Sequence, residues 1–257
     1  MEALPDDPEA RRKDLERWAQ GQRLGPRTRR ARLRAALVVW RGRRASRLEL
    51  AAQSADRLLE QFANRLWDRG LDTSVTVHLH EYLLDDRVHY LASAWHVLPR
   101  ALRHVGISNT DTFVEFGCGK GRVVHQAARR PFRRVIGVEV SPELAEVART
   151  VLAARADRHR CRNVEIVVSD VKQYPVPDDF TIGYFFRPFG DDTLAMVLRG
   201  IVESIDRNPR RVRLIYVWPT DRTRSMILGT DRFRLVKQLS SSLTNPRSGR
   251  IVIFESH

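Results

Sequence analysis

The sequence contains little cysteine, little lysine and no long apolar run near its N-terminus. Its two cysteines, Cys118 and Cys161, have no pair spacing for zinc and form no disulfide framework, so a reducing cytoplasm is expected. The first ten residues, M-E-A-L-P-D-D-P-E-A, are acidic and lack the basic-then-apolar order of a secretory signal. Leu37 to Trp40 is the longest apolar run nearby and is far short of a membrane span. These absences predict a cytoplasmic protein with no membrane span.

The charge is basic and unevenly distributed. The 257 residues include 45 Lys and Arg against 31 Asp and Glu, which gives a formal net charge of +14. Between Arg11 and Arg47, 14 basic residues stand against only Asp14 and Glu16, so this segment alone carries +12. Such an arm is typical of contact with polyanions, here through Arg27–Arg44. Coding bias is the alternative, because only four of the basic residues are lysine.

The stretch Asp111–Pro142 has the pattern of a strand, a glycine turn, a helix and a second strand. Short β-branched and aromatic runs predict strands buried on both faces, and closely spaced glycines allow positive φ and close approach of the backbone to a ligand. The order β-α-β-α predicts a parallel sheet with its ligand at the carboxyl ends of the strands. The predicted parts are the strand Thr112–Phe116, the glycines Gly117, Gly119 and Gly121, the helix Arg122–Arg130 before Pro131, the strand Val135–Val140 and the N-cap Ser141 with Pro142 after it.

The spacing of the glycine turn disfavours a dinucleotide. A dinucleotide fingerprint has its third glycine five residues after the first, and that position here is Arg122. Glu115 would also face a pyrophosphate, and two like charges about 5 Å apart at an effective dielectric near 20 repel by roughly 3 kcal/mol. Glu139, 22 residues after Gly117, stands where an acid commonly accepts hydrogen bonds from ribose hydroxyls. A ribose and a cation without phosphate indicate S-adenosylmethionine.

The runs V-E-F-G-C-G-K-G and V-I-G-V-E-V-S-P resemble the first and second motifs of the class I (Rossmann-like) S-adenosylmethionine-dependent methyltransferases. The resemblance implies an α/β fold with a mostly parallel seven-stranded sheet and an antiparallel last strand, here preceded by a mainly helical N-terminal segment. It also implies S-adenosylmethionine as cofactor. The cofactor-binding residues are then Glu115, Gly117, Cys118, Gly119, Gly121, Glu139, Val140, Asp170, Val171 and Phe185.

The same resemblance assigns a role to most of these residues. The glycines flank the methionine part and Glu115 helps to hold its amino group. Glu139 takes the ribose hydroxyls, and Asp170 meets the exocyclic amine of adenine with Val171 beside the ring, unless Asp170 is a plain turn residue. Cys118 stands in a slot that tolerates small residues, so its thiol is interpreted as packing and not as a nucleophile.

The run F-F-R-P-F-G-D-D after the predicted strand Phe180–Phe186 marks the acceptor side. Aromatic rings there line the meeting point of methyl donor and acceptor in the family, because a sulfonium is attracted to a ring face. Many relatives place Asn before the Pro, where this chain has Arg187. Arg187 is interpreted as gripping a carboxylate or phosphate of the acceptor; the alternative is an Arg turned to solvent or paired with Asp191 or Asp192. The candidate catalytic residues are Arg187, Phe186 and Tyr90, the last in the segment that covers the cofactor in relatives.

Metal binding is not expected. His78, His80 and His89 lie near Glu81 and Asp85, but no pair has the helical spacing of a known metal motif and no cysteine accompanies them.

The predicted organisation has three parts: an Arg-rich arm at 1–45, a helical cap segment at 46–110 and a methyltransferase domain at 111–257. The cap includes a predicted helix over Leu83–Val105. The further elements of the domain are the strand Asn163–Val168, the helix Asp191–Ile205, the strand Arg211–Trp218, whose end carries Trp218 to the ligand edge, and a hairpin formed by Phe233–Leu239 and Ile251–Phe254.

The leading functional hypothesis is in-line methyl transfer from S-adenosylmethionine to an anionic small molecule or a peptide. An RNA or protein methyltransferase that uses the basic arm is one alternative; with RNA, Phe185, Phe186 and Phe189 would stack on a base. A non-catalytic protein that binds the cofactor or polyanions is the other.

Overall fold

A computed structural model describes residues 54–56, 58–59, 61–63, 92–242 and 250–257. The chain divides into two compact units, Met1–Arg57 and Leu58–His257. The short stretches between 54 and 63 are helical. The elements below all belong to the second unit. Tyr90, the Arg-rich arm and the three histidines at 78, 80 and 89 lie outside the described residues.

The helices and strands alternate along most of the described chain. In chain order they are α1 (Val97–Val105), β1 (Thr112–Phe116), α2 (Arg122–Ala128), β2 (Arg134–Glu139), α3 (Pro142–Ala153), a 3-10 turn (Ala156–Arg158), β3 (Val164–Val168), β4 (Phe180–Phe186), α4 (Asp191–Arg207), β5 (Arg213–Val217), α5 (Asp221–Leu228), β6 (Phe233–Leu239) and β7 (Ile251–Ser256). Among these helices none has the length and apolar character needed to cross a bilayer.

The seven strands form one sheet in the order β3-β2-β1-β4-β5-β7-β6. The first five strands pair in parallel, and β7 runs antiparallel to both β5 and β6. This is the predicted Rossmann-like arrangement, and the predicted hairpin at the C-terminal end is confirmed. Parallel strands need crossover connections, and α2, α3 and α4 supply those from β1 to β2, from β2 to β3 and from β4 to β5. The connection from β3 to β4, residues 169–179, contains no helix.

Strand register aligns the carboxyl ends of the parallel strands at one edge of the sheet. Glu115 lies opposite Gly137, Glu139 opposite Val168, and Phe186 opposite Val217. The loops that leave β1, β2, β3, β4 and β5 therefore emerge side by side. Because ligands of open α/β sheets bind outside the carboxyl ends of the strands, this edge is the expected location of a binding site.

Each face of the sheet packs against its own set of helices. One core cluster joins α1, α2 and α3 to the sheet through side chains such as Leu98, Val124 and Ala148. The other joins α4 and α5 through Leu198 and Ile227. Strands buried on both faces explain why β1 and β5 read as nearly continuous apolar runs.

Two local predictions need correction. The predicted helix over Leu83–Val105 is helical only from Val97 within the described residues, since 92–94 are irregular and 95–96 form a turn. Pro99 then falls in the first turn, where a missing N–H breaks no helical hydrogen bond. Helix α5 was not predicted because its apolar pattern is weak, with only Thr223 and Ile227 buried. Its signal is the cap, since the Thr220 side chain accepts a hydrogen bond from the Thr223 N–H at 3.0 Å.

Candidate active site

The loop after β1 holds three glycines in left-handed backbone. Their φ angles are 79° at Gly117, 52° at Gly119 and 76° at Gly121. The N–H groups of Gly117 and Cys118 both donate to the Val138 carbonyl at 2.9 Å, which ties the loop to the end of β2. Since residues with a Cβ rarely adopt these angles, glycine is what permits this turn.

Close contacts hold the glycine loop on two sides. A Cβ at Gly117 would lie 2.6 Å from Cβ of Pro188, in the loop after β4. A Cβ at Gly121 would lie 2.9 Å from Cβ of Ala148 on α3. The turn therefore leaves no space for a side chain at either position, and its backbone packs directly against the loop that follows β4.

Glu139 at the end of β2 is tied to the same loop. One carboxylate oxygen accepts the Gly119 N–H at 2.7 Å, and the other accepts the N–H groups of Val140 and Ser141 at 3.0 Å. The Ser141 hydroxyl caps α3 by accepting the Leu144 N–H at 3.2 Å, as its position before Pro142 predicted. The two sequence motifs thus meet through one buried carboxylate.

Glu115 is buried in β1 below the glycine loop. Burial raises the pKa of its carboxyl well above the usual value; a hydrogen bond from the Val124 N–H opposes the shift and nearby Glu139 adds to it. Its Oε2 is buried, and no residue of the described ranges forms a hydrogen bond with it. A buried acceptor in this state favours a cationic donor, which would both satisfy it and restore its charge.

The Cys118 side chain points into the core. Its sulfur lies against Gly137, where an added Cβ would come within 2.7 Å of it. Burial, with the charges of Glu115 and Glu139, raises the pKa of the thiol well above its usual value. A neutral buried thiol is a poor nucleophile, so its role here is packing.

Asp170 and Val171 follow β3 at the same edge. The Asp170 carboxylate accepts the Lys172 N–H at 2.9 Å and lies 3.6 Å from the Lys172 ammonium. Val171 is half-buried against the second core cluster. The Ser169 N–H donates to the Glu139 carbonyl at 2.9 Å, so this loop is fixed beside the end of β2.

The segment before α1 lies against the start of α2, a feature the sequence did not reveal. The Arg122 guanidinium donates to the Ser93 carbonyl at 3.2 Å and lies 5.4 Å from the centre of the Trp95 ring. Arg122 and Lys120 are each 3% exposed. From the sequence alone, charged residues in a glycine turn are expected to be exposed to solvent. In the structure they are buried, and the segment before α1 lies against Arg122.

The two phenylalanines at the end of β4 face opposite sides of the sheet. Phe185 is fully buried and stacks between Phe116, at 4.8 Å, and Tyr216, at 5.4 Å. Phe186 is half-buried and meets the Trp218 ring at 5.1 Å with an interplanar angle of 65°. The Phe185 ring is thus part of the core, and Phe186 is the aromatic residue brought to the exposed end of the strand.

Arg187 follows Phe186 with φ of 41°, and its side chain is exposed. Within the described part of the chain no ion pair with Arg187 occurs, and Asp191 pairs instead with Arg222 at 2.6 Å. A left-handed non-glycine residue costs on the order of 1 to 2 kcal/mol. The guanidinium is therefore held by strained backbone and is available to a ligand.

Trp218, at the end of β5, was expected at this edge but without its unusual backbone. Its φ is 57°, and 42% of the residue is exposed. Its indole N–H donates to the Ser241 hydroxyl at 2.9 Å, and its backbone N–H donates to the Arg250 carbonyl at 2.7 Å. No local residue pattern signals this conformation, because neither glycine nor asparagine stands there.

No group of three or more His, Cys, Asp or Glu side chains suited to a metal ion occurs in the described ranges. The edge thus offers backbone N–H groups, carboxylates, aromatic rings and the exposed guanidinium of Arg187.

A family model described as a methyltransferase domain matches residues 113–206, which run from β1 to the last turns of α4. This part of the chain, less than half of it, is thus similar to a methyltransferase domain. The glycine turn after β1 and the strand order of the sheet agree with this likeness.

Solved structures resemble this chain only distantly. A precorrin 8W decarboxylase from Methanobacterium thermoautotrophicum is 18% identical over 64% of this chain and 90% of that one, with a TM-score of 0.47. Magnesium protoporphyrin IX methyltransferase from Synechocystis PCC 6803, with bound SAM, is 17% identical over 63% of this chain and 78% of that one, also at 0.47. These likenesses are too low to carry an inference. A comparison with curated proteins gave no significant match.

Proposed function

We propose that the chain is an S-adenosylmethionine-dependent methyltransferase and that S-adenosylmethionine lies across the ends of β1, β2 and β3. The glycine turn holds the methionine part, Glu139 accepts the ribose hydroxyls, and Asp170 receives the adenine amine with Val171 beside the ring. Glu115 provides the buried acceptor for the amino group. The backbones of Cys118 and Val140 complete this surface, whereas the buried Phe185 ring supports it from the core.

Two observations support the fit of this cofactor. The positive φ of Gly117, Gly119 and Gly121 forms a turn of bare backbone at the carboxyl end of β1, which suits close approach of a ligand. The unpartnered Oε2 of Glu115 suits a ligand ammonium. The dinucleotide reading is disfavoured by the same carboxylate, because a pyrophosphate would meet it with a like charge.

When bound, S-adenosylmethionine supplies a methyl group on a sulfonium: the acceptor lone pair forms the new bond to carbon, and the S–C pair stays on sulfur. The chain's own residues then have to position the two reactants and exclude water. Positioning alone contributes several kcal/mol to such a displacement. Phe186 lines the meeting point from the end of β4. The role of Tyr90 stays a prediction, since it lies outside the described residues.

The acceptor is an anionic small molecule or peptide gripped by Arg187. The observation that carries this is the exposed guanidinium at a strained strand end, with Asp191 engaged by Arg222. Two cations repel in a site of low dielectric, so Arg187 beside a sulfonium favours an acceptor that brings a negative charge. A planar guanidinium binds carboxylate or phosphate through two parallel hydrogen bonds.

The test is to incubate the full chain with methyl-labelled S-adenosylmethionine and a cell extract, and then to separate nucleic acid, protein and small metabolites. Label in small anionic metabolites or peptides is expected. Label confined to RNA would favour the alternative in which Arg27–Arg44 binds the phosphate backbone, and label in large proteins would favour a protein methyltransferase.

Arg187 is tested with the labelled acceptor once it is found. Arg187→Lys keeps the charge but removes the bidentate fork, so it should raise KM and lower turnover while leaving cofactor affinity nearly unchanged. Arg222→Ala is the matched control, because Arg222 is also exposed at this edge but is paired with Asp191. Unchanged kinetics in both Arg187→Lys and Arg187→Ala would show that the side chain does not hold the acceptor.

The three-part division and the cytoplasmic location remain part of this proposal. Both cysteines are free and buried, which suits a reducing compartment. Contact of the Arg-rich arm with polyanions should appear as binding with a steep dependence on salt concentration.

A further inference from the structure

Two neighbouring parallel strands end in the same unusual way. β4 is followed by Arg187 and β5 by Trp218, both in left-handed backbone, and Asp231 is the only other non-glycine residue described with positive φ. Phe186 and Val217 are register partners, so Arg187 and Trp218 leave the sheet side by side. Adjacent strands lie about 4.8 Å apart, which puts both residues within reach of one small molecule. Backbone strain of this kind concentrates at functional sites.

The Trp218 ring is exposed but fixed in position. Its indole N–H bonds to the Ser241 hydroxyl, and the Ser241 carbonyl in turn lies 2.6 Å from His96 Nε2. The Phe186 ring braces it from the β4 side at 5.1 Å. A large aromatic side chain with 42% of its residue surface open, yet anchored by hydrogen bonds, is a rigid planar surface at low entropic cost to a ligand.

We infer that Trp218 stacks on the methyl acceptor, and that the acceptor is a planar aromatic acid. Its ring lies on the indole of Trp218 and its carboxylate or other anionic group binds the Arg187 guanidinium. This rests on the proposed function, because it takes the ends of β4 and β5 as the acceptor site. Arg187 alone requires only that the acceptor carry a negative charge. Stacking on Trp218 also requires that the acceptor be flat, which makes Trp218 a specificity-determining residue.

The probes are 2-naphthoate and its saturated counterpart, decahydro-2-naphthoate, which carry the same charge on a flat and a puckered frame. Calorimetry with the full chain saturated with S-adenosylhomocysteine should show 2-naphthoate binding about fivefold to tenfold tighter, the effect of one aromatic contact. Uncharged 2-naphthamide should bind more weakly than 2-naphthoate. The saturating product keeps the probes out of the cofactor site.

The variants separate the two contacts. Trp218→Leu should remove the preference for the flat acid, Trp218→Phe should keep most of it, and Arg187→Ala should weaken both acids by a similar factor. Unchanged S-adenosylhomocysteine affinity shows that each variant is folded. In the wild type, 2-naphthoate should also shift the NMR signal of the Trp218 indole N–H, a readout that needs no variant.

Equal binding of the flat and puckered acids, or a preference that survives in Trp218→Leu, would overturn the inference. Tighter binding of uridine monophosphate than of 2-naphthoate, with the same dependence on Trp218, would reassign this surface to nucleic acid and overturn it too. Failure of the proposed function is distinguishable, since it would appear as methyl label absent from small anionic molecules and peptides.

Discussion

The glycine turn after β1 and the loops after β4 and β5 lie at one edge of the sheet, yet they reach left-handed backbone with opposite residue types. At the turn, Gly117, Gly119 and Gly121 adopt positive φ without a side chain. At the other two strand ends, Arg187 and Trp218 adopt it with large side chains that are exposed. The first region presents bare backbone, and the second presents an indole and a guanidinium.

Under the proposed function, the difference follows from what each region would bind: the cofactor at the glycine turn and the methyl acceptor at the ends of β4 and β5. A cofactor cradled by backbone needs the chain to come close, which a Cβ would prevent. An acceptor has to be recognised by its charge and shape, which only side chains can do. Strained backbone at Arg187 and Trp218 is thus the cost of aiming these side chains, whereas glycine carries no such cost at the turn.

The two regions come close where the loop after β4 reaches the glycine turn. Pro188 follows Arg187 and packs on Gly117, so the acceptor loop rests on the glycine turn. A change at this contact should therefore affect both regions, whereas changes elsewhere should affect one of them.

Gly117→Ala is expected to have the largest effect. The new methyl group combines positive φ with a 2.6 Å approach to Pro188, so the free energy of unfolding should fall by about 3 to 5 kcal/mol. Gly106→Ala is the matched control, because its φ is 65° but nothing lies within 4 Å of the added Cβ. It should cost only about 1 to 2 kcal/mol in denaturant unfolding. Equal losses in the two variants would show that Pro188 yields to the methyl group.

Glu139→Ala should separate the two regions. Loss of two charge-assisted hydrogen bonds to the ribose should weaken S-adenosylmethionine binding by about 2 to 4 kcal/mol in calorimetry. The exposed Glu143, which bonds the Ser141 hydroxyl at 2.7 Å in the same segment, is the control, and Glu143→Ala should leave the affinity unchanged. An unaltered affinity in Glu139→Ala would exclude the ribose role.

The sequence predicts the cofactor region far better than the acceptor region. β1 and β4 were predicted with the bounds observed, because short buried runs end at a glycine turn or a proline. The N-cap at Ser141 could also be predicted, because helix capping depends on a few residues adjacent in the sequence. In the acceptor region, positive φ at Arg187 and Trp218 has no local signal, because packing of the whole edge imposes it.

Burial of charge is the other feature that sequence could not supply. Lys120 and Arg122 stand in a glycine turn, yet both are buried. Arg122 contacts Ser93 and Trp95, 29 and 27 residues earlier in the chain. The opposite case is Phe185, which the family resemblance placed at the cofactor and the structure stacks in the core. Whether a side chain at a strand end points into the core or toward the ligand depends on which face of the sheet it lies on and on the side chains packed around it.

A third prediction concerns the effect of acid on a buried pair of histidines. His125 on α2 and His159 are buried with their ring nitrogens 3.0 Å apart. Burial, then His159 and the arginines at 129, 155 and 158, lowers the pKa of His125 to about 4. Burial also lowers the pKa of His159. The unfolded state therefore binds more protons between pH 6.5 and 4, so stability is lost as pH falls through this range.

The expected loss from His125 is about 2 to 3 kcal/mol between pH 7 and pH 4. It is isolated by measuring unfolding of the wild type and of His125→Asn at each pH, because the raised pKa of Glu115 contributes in the opposite sense. The difference between the two proteins should shrink as pH falls. A difference that stays constant with pH would mean that the histidine pair does not titrate in folding.

The smallest expected effect tests the strain itself. Arg187→Gly removes the left-handed penalty but adds flexibility to the unfolded chain, so the free energy of unfolding should rise by only about 0.5 to 1 kcal/mol. Methyl transfer to the acceptor should fall at the same time, because the guanidinium is gone.

Asp231→Gly is the control for this pair of effects, since Asp231 has a φ of 53° in the turn before β6. Aspartate tolerates left-handed backbone better than arginine, so the gain in stability should be smaller, and turnover should not change. If Arg187→Gly lowers stability, the positive φ is not a strain that glycine relieves. If it raises stability and leaves turnover intact, the strained backbone does not serve to aim the side chain, and the contrast between the two regions loses its functional meaning.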